Sequence, residues 1–408
     1  MNPNGTFDRD LERWLDDEAP LAGPTGLHEE TIERASAIRQ RPGWMVSVRG
    51  DAFPSRGSSF GLSAVARLAV IAVICVLAVG AVSYLVRPAP FTVGNPGLLP
   101  NPQVQQIWTT DQGVAMTIQR QDPTDKGRYY WRALTYDRID LKGWTQTNAT
   151  TIVRQADTQL FAGLADAVDP AGLHAFTFTV TPKEFHGPTI LSPGTPVDVN
   201  ETTRLTYVGT GYFAMLEADG VSGSYTVTAL TQPPVSAQGK LTQAELRVAG
   251  TKYPQEVKNF YLQVAPGSIG PNARKLEDKV RAQAASSAPF DLASQIVTEL
   301  HSPTYIYATD VRDLDCATLS TTECFATYKR GFCQYYAATM AVLLRDLGVP
   351  TRIADGFLPG AVDPNTGIET IQLTSAHTWV EVYFPGHGWV MFDPTGGNLS
   401  QVEPLPSK

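Results

Sequence analysis

Apolar residues are spaced in three different ways along this chain, and each spacing predicts a different element. From Leu68 to Val86 the sequence reads LAVIAVICVLAVGAVSYLV, 19 residues without a charge, bounded by Arg67 and Arg87. At ~1.5 Å rise per residue, such a helix crosses a hydrocarbon core. The run is apolar all round, whereas a helix buried in a soluble core usually keeps a polar stripe. The long polar stretch ahead of it is unlike a signal peptide. Arg49, Arg56 and Arg67 precede the run, and nothing basic follows Arg87 until Arg120. This Lys/Arg bias predicts a single-pass cell-membrane protein, with residues 1–67 as a cytoplasmic tail, 68–86 as the transmembrane helix and the remainder extracytoplasmic. Within the tail, Phe7, Leu11 and Trp14 have helical spacing, as does the stretch LHEETIERASAIRQ, but neither carries chemistry. Residues 87–103 are a Pro/Gly linker.

Period-two alternation dominates residues 104–248. TIQRQ, YYWRALTYDRI, AFTFTVTP, TRLTYVGTG and GSYTVTALTQ are short β-branched and aromatic runs separated by Gly, Pro and Asn. They predict an all-β domain, a sandwich or barrel. Spacing of three and four takes over next, in TKYPQEVKNFYLQV and PNARKLEDKVRAQAAS, with Pro254 and Pro271 placed as helix starts. Residues 249–400 then form an α+β domain, followed by a tail, 401–408.

Two segments of that domain carry candidate chemistry. In KRGFCQYYAATMAVLLRDLGVPTRI, residues Tyr336, Met340, Leu343, Leu344 and Leu347 give helical spacing, closed by Gly348 and Pro350. Cys333 therefore sits at a helix N-terminus, where free backbone N–H groups and the positive dipole end favour a thiolate and can hold an oxyanion. Gly331 allows close backbone approach. In TSAHTWVEVYFPGHGWVMFDPTGG, His377 lies on a strand that alternates with Thr378, Val380, Val382 and Phe384, and Asp393 ends the return strand. A four-residue turn, Pro385 to Gly388, sets Phe384 opposite Trp389 and Asp393 opposite Val380, so a bulge or another register is needed to bring Asp393 to His377. Taken singly, each residue has a plainer reading: a small buried Cys, a structural imidazole, a carboxylate capping a strand before proline. His387 reads as a turn residue. Together, Cys333, His377 and Asp393 supply the nucleophile, base and orienting carboxylate of a cysteine acyl-transfer site.

Composition narrows the function. Apolar residues make up 43% and charged residues 18%, and 34 Gly with 30 Pro suit a turn-rich β body. A net charge of −8 argues against nucleic acid as a partner. Of the four cysteines, Cys75 falls in the apolar run, and Cys316 and Cys324 are eight apart in DCATLSTTEC, a loop-like stretch. Outside the cell those two are expected to form a disulfide, which leaves Cys333 as an unpaired, reactive thiol.

The stretches RGFCQYYAATMAVLLRDLGVPTRIADGFLPG and SAHTWVEVYFPGHGWVMFDPT, with His377 44 residues after Cys333 and Asp393 16 after His377, closely resemble the transglutaminase-like catalytic domain of bacteria. YYWRALTYDRIDLKGWT resembles the extracytoplasmic β segment ahead of that domain in multi-pass bacterial relatives. The likeness covers most of residues 104–395, most specifically after about 250. Only one span is read here, so the larger relatives' biological role is not carried over. The resemblance implies a papain-like α+β core, with Cys333 as nucleophile, His377 as general base and acid, and Asp393 as the carboxylate orienting it. It implies acyl transfer from glutamine side chains of a protein or peptide substrate through a thioester. The alternatives are a cysteine peptidase or amidase with the same triad, and a non-catalytic envelope scaffold. No cofactor is expected, nor a metal, since no Asp/Asn/Glu-rich loop suits calcium.

Overall fold

Strand-forming and helix-forming stretches follow one another in a single order. In the computed structural model the first half carries β1 (Val114–Arg120), β2 (Trp131–Tyr136), β3 (Arg138–Ile139), β4 (Trp144–Thr145) and β5 (Ala149–Arg154). Next come β6 (His174–Pro182), β7 (Thr195–Val199), β8 (Thr203–Val208), β9 (Tyr212–Ala218) and β10 (Tyr225–Thr231). Helices α1 (Gln243–Val248), α2 (Gln255–Tyr261), α3 (Pro271–Gln283) and α4 (Pro289–Leu300) follow. The last part holds β11 (Ile306–Tyr307), α5 (Thr321–Tyr328), β12 (Arg330–Gly331) and α6 (Cys333–Asp346). It closes with β13 (Thr351–Phe357), β14 (Ala361–Val362), β15 (Ile368–Gln372), β16 (Ala376–Phe384) and β17 (Gly388–Phe392). The structure describes residues 113–396 apart from 148, 165–172, 186, 219–222 and 232–240. The apolar run 68–86, the segments 1–67 and 87–103 and the tail 401–408 lie outside the described residues. Among the described residues no helix is long and apolar enough to cross a membrane.

The strands of 114–231 do not close on one another. Apart from β3 and β4, which pair with each other, they divide between two sheets, each completed by strands from 351–392. The six-stranded sheet runs β14-β15-β1-β6-β10-β7 and the seven-stranded one β17-β16-β13-β2-β9-β8-β5. The reason lies in β2 and β13, which are buried at every residue. Such strands must be flanked on both edges, and they pair with each other. β6 and β10 behave as their alternation predicts. Phe176, Phe178, Val180, Tyr225, Val227 and Ala229 are buried, while Thr177–Thr228 and Thr179–Thr226 join hydroxyls across the ladder at 3.1 and 3.0 Å.

Helix α6 is buried from Cys333 to Arg345 and lies against β16, β13, α4 and α5. Its last turn is fixed by Arg345, which donates to the carbonyls of Gln263, Asp137 and Thr351 at 2.6–3.1 Å. The last four residues of the supposed loop DCATLSTTEC are helical: Ser320 caps α5, accepting from the Glu323 N–H at 3.0 Å. Glu323 in turn accepts from the N–H groups of Asn272 and Ala273 at 3.0 and 2.8 Å, which stabilises the first turn of α3. Gly270 permits this, because a Cβ there would lie 2.5 Å from the Glu323 carboxyl carbon.

Candidate active site

Cys333 is the first residue of α6, and the preceding Phe332 is extended and supplies no side-chain cap. Of the first-turn amides, that of Tyr335 donates to the Phe332 carbonyl at 2.8 Å and that of Cys333 meets Tyr307, so the Gln334 N–H and the positive helix end are what a bound anion would meet. The chain reaches this point through a tight passage: α5 ends at Lys329 with φ +52°, and Arg330–Gly331 pairs in parallel with Ile306–Tyr307. Gly331 is required, because a Cβ there would come 2.7 Å from Tyr335. The parallel pair also delivers Tyr307, whose hydroxyl meets both the backbone N–H and the thiol of Cys333. Burial and then the neighbouring Cys333 push the Tyr307 phenol well above its ordinary range.

His377 stands on β16 and Asp393 follows β17. Their hairpin register is the one that the chemistry needs, and no bulge is involved. The turn is one residue shorter than expected: Phe384 pairs with Gly388, and Val380 with Phe392. Pro385 and Gly386 occupy its centre, Gly386 has φ +81°, and the His387 N–H donates to the Phe384 carbonyl at 3.0 Å. Gly388 adopts φ +73°, as a three-residue hairpin loop demands. With this register Asp393 falls on the same face as His377, two positions along, which makes the pair diagonal neighbours. His377 Nε2 and Asp393 Oδ2 are 2.9 Å apart. Nε2 being so engaged, Nδ1 is the nitrogen left for Cys333, with which His377 also hydrogen-bonds.

All three residues are buried, with exposures of 0% for Cys333, 3% for His377 and 2% for Asp393. Burial alone would strip the imidazole of its proton, but the charge and hydrogen bond of Asp393, reinforced by Cys333, outweigh it and raise the His377 pKa to about 10. Asp393 shows the mirror image. Burial would raise its carboxyl, yet His377, the Thr395 N–H at 2.9 Å and the Tyr130 hydroxyl at 2.7 Å hold it below the ordinary carboxylate value. This is a preorganised imidazolium–carboxylate pair beside a thiol at a helix N-terminus. Among the described residues no cluster of His, Cys, Asp and Glu has the makings of a metal site.

Sequence reasoning missed several contributors. Tyr130 lies edge-on to His377 with centroids 6.0 Å apart and packs on Trp379 at 5.1 Å. His301 reaches the Asp393 carbonyl at 3.1 Å. Further along the same face of β16, Glu381 is held between Arg132 at 2.8 Å and Arg352 at 2.7 Å. Burial opposes its charge, but the two guanidiniums lower its pKa to about 2. This ionic link ties β2, β13 and β16 together behind the His377 strand. No local signal in the sequence marked these residues, which reach the triad through pairing across distant segments. Cys316 and Cys324 are joined by a disulfide, with Cα atoms 5.5 Å apart, and Cys333 is a free thiol. His387 lies in the turn.

Residues 275–394 match the transglutaminase-like superfamily. The chain is 31% identical over 180 residues to the uncharacterized protein YebA of Bacillus subtilis, covering 43% of this chain and 24% of that protein. It is 31% identical over 130 residues to a protein-glutamine gamma-glutamyltransferase of Pseudomonas aeruginosa, covering 31% of this chain and 18% of the relative. The chain thus spans no more than about a quarter of either curated relative. Among solved structures, the periplasmic domain of TgpA from Pseudomonas aeruginosa superposes with a TM-score of 0.52 at 21% identity, over 72% of this chain and 92% of that one. Its ethylmercury-bound form gives 0.50 at 21% identity, over 70% and 90%. At that identity the likeness establishes the fold, a mixed α/β body with a β-rich N-terminal region and a transglutaminase-like core. By sequence match, residues 275–394 make up a transglutaminase-like domain, and the fold around them is that of the TgpA neighbours.

Proposed function

We propose that this chain is a cysteine acyltransferase acting on glutamine side chains of proteins at the outer face of a membrane. The observation that carries the reading is the Cys333 thiol at the start of α6, hydrogen-bonded to an imidazole whose far nitrogen is held by Asp393 at 2.9 Å. In the resting site the thiol proton already sits on His377 as the imidazolium that Asp393 stabilises, and Cys333 Sγ attacks the γ-carboxamide carbon as a thiolate. The Gln334 N–H and the positive N-terminal end of α6 stabilise the oxyanion. The Sγ–C bond stays as the C–N bond breaks, and the proton held on His377 leaves with ammonia. A primary amine, or water, then attacks the thioester, giving its proton to His377, and the thiolate is restored. The superfamily's members are generally cysteine-dependent enzymes, and one relative is named as a protein-glutamine gamma-glutamyltransferase.

For location, the support is the uncharged run 68–86, the Cys316–Cys324 disulfide, which suits an oxidising compartment, and the periplasmic description of the structural neighbour. Protease added to intact cells is expected to digest the part after residue 103; complete protection would reverse the orientation.

The chemistry is tested with the full-length chain, solubilised in detergent and incubated with a glutamine-bearing protein and a labelled primary amine. Incorporation by wild type and none by Cys333→Ala is the expected result. Ammonia release without incorporation would replace transfer by hydrolysis, and new N-termini would make the enzyme a peptidase. Equal incorporation by the two chains would remove Cys333 from the mechanism.

A further inference from the structure

We propose that the Tyr307 hydroxyl is a catalytic donor, the second arm of the oxyanion hole, placed beside Cys333 by the pairing of β11 with β12. The proposal rests on the transfer reading above and adds a residue to its acylation step.

The main chain alone leaves the hole short of donors. Acyl-transfer sites aim a pair of donors at the developing charge. At the start of α6 the Tyr335 N–H is spent on the Phe332 carbonyl at 2.8 Å, and the Tyr336 N–H reaches the same carbonyl at 3.4 Å. The Cys333 N–H donates to the Tyr307 oxygen. That leaves the Gln334 amide and the helix end. The Tyr307 oxygen also carries a proton, and this proton is directed at the Cys333 sulfur. A hydroxyl can accept and donate at once, so Tyr307 touches both the amide and the nucleophile.

Its place is fixed by strand and helix. The Ile306 and Ala308 N–H groups donate to the Lys329 and Gly331 carbonyls, each at 2.8 Å, which sets Tyr307 opposite Gly331, just ahead of Cys333. The phenol ring stacks on that of Tyr336, with 28° between the planes and 6.3 Å between centroids. Tyr336 belongs to the first turn of α6 and is fully buried.

The donor stands where the charge moves. As Sγ bonds to the γ-carboxamide carbon, the C=O π pair passes to the oxygen. A hydroxyl already at the sulfur and at the Cys333 N–H meets that oxygen by turning its O–H about the phenol C–O bond. Sulfur is the weaker acceptor, so the hydrogen bond strengthens as the charge leaves it for oxygen, and the transition state gains more than the ground state. On collapse the pair returns to C=O, the C–N bond breaks and ammonia takes its proton from His377, so Tyr307 gives up none. Burial and the charges of Cys333 and Asp393 hold the phenol well above its ordinary range, which keeps it a donor throughout the working pH.

The test compares wild type, Tyr307→Phe and Tyr307→Ala as full-length chains in detergent. It reads kcat and KM for amine incorporation into a glutamine peptide, inhibition by the same peptide with an aldehyde in place of the carboxamide, and alkylation of Cys333 by iodoacetamide. The aldehyde adds to Sγ and sets an oxygen in the hole without a leaving group; alkylation forms no oxyanion. Tyr307→Phe is expected to lose roughly a hundred- to a thousandfold in kcat, with KM unchanged, weaker aldehyde inhibition and alkylation at the wild-type rate. Unchanged KM and alkylation also show that this chain is folded, since unfolding would expose the thiol. Tyr307→Ala is expected to lose kcat to the same extent; a rise would make Tyr307 only a cover and overturn the proposal. A loss in Tyr307→Phe of less than about threefold, against the much larger cost of a missing donor, overturns it, as does alkylation slowed in step with transfer. Transfer by wild type with equal aldehyde inhibition in both chains removes the donor and leaves the transfer reading intact. A wild type that transfers nothing, yet holds the aldehyde at Cys333 more tightly than Tyr307→Phe does, sustains the donor and removes the transfer reading instead.

Discussion

Replacing Asp393 with asparagine removes one charge from a pair almost closed to water and leaves the shape of the site unchanged. Thr395 N–H donates to Oδ1 and the Tyr130 hydroxyl to Oδ2, so the one oxygen of asparagine keeps only one of these bonds, but the main loss is the charge beside the imidazole. In the native chain His377 carries its proton to about pH 10, because the Asp393 charge and hydrogen bond overcome burial. Without that charge, burial lowers the pH at which the imidazolium loses its proton from about 10 toward neutrality. Breaking a buried ion pair by removing one partner costs roughly 3 to 5 kcal/mol, and at ~1.36 kcal/mol per pH unit this amounts to a shift of at least two units. The assay is kcat/KM for amine incorporation across pH 5 to 11 in both chains. Wild type should hold its activity until the solution nears pH 10. The alkaline limb of Asp393→Asn should shift toward neutrality, with a reduced plateau. Stability gives an independent readout. A raised histidine pKa stabilises the fold fully below the unfolded value of 6.5 and ceases to do so as pH rises through about 10. The lowered Asp393 value stabilises above 3.8 and ceases to do so as pH falls through its folded pKa. The urea midpoints of the two chains should therefore differ most near pH 6 and converge above pH 10. Coincident alkaline limbs would refute the reasoning, since Asp393 would then not control the imidazole.

Other perturbations address parts of the site that the sequence left blank. Tyr307→Ala should speed alkylation of Cys333 by a neutral thiol reagent at least tenfold, because Tyr307 covers a thiol with no exposed surface; an unchanged rate would mean that access runs elsewhere. Cys316→Ser should lower stability by about 2.5 kcal/mol for so short a closed loop, seen as a lower urea midpoint without reductant and no difference with it. Gly356→Ala should destabilise by more than the 1–3 kcal/mol usual for overpacking, because its Cβ would lie 2.0 Å from the Trp131 carbonyl oxygen; a melting temperature equal to wild type would contradict the close β2–β13 approach.

The parts of the site carried by local pattern were legible in the sequence, and those carried by pairing were not. Cys333 could be placed at a helix start because Leu343, Leu344 and Leu347 define a periodic face and Gly348 with Pro350 end it, all within one segment. The His377–Asp393 relation depended on a turn miscounted by one residue. A one-residue slip sends every side chain to the other face of a sheet, so the error moved Asp393 from the His377 face to the opposite one. What decides the register is that Gly388, at φ +73°, closes the loop while still pairing with Phe384. Nothing in the alternation of Val380 and Val382 encodes that choice.

The two tyrosines were beyond reach for a stronger reason. Tyr130 meets Asp393 across 263 positions of sequence, and Tyr307 meets Cys333 only because the short β11 pairs with β12. The β-rich stretch looked self-contained because each strand in it alternates on its own terms. Yet β2 is buried on both faces, and a strand without a polar face cannot sit at the edge of a separate domain. It lies between β13 and β9, and this inserts the segment before β2, with Tyr130 on it, into the catalytic half. The N-terminal β strands are thus more than a platform preceding the active site. Through Tyr130 and Arg132 they hold the Asp393 carboxylate and the β16 strand in place, so the triad and the strands before it form one structural unit.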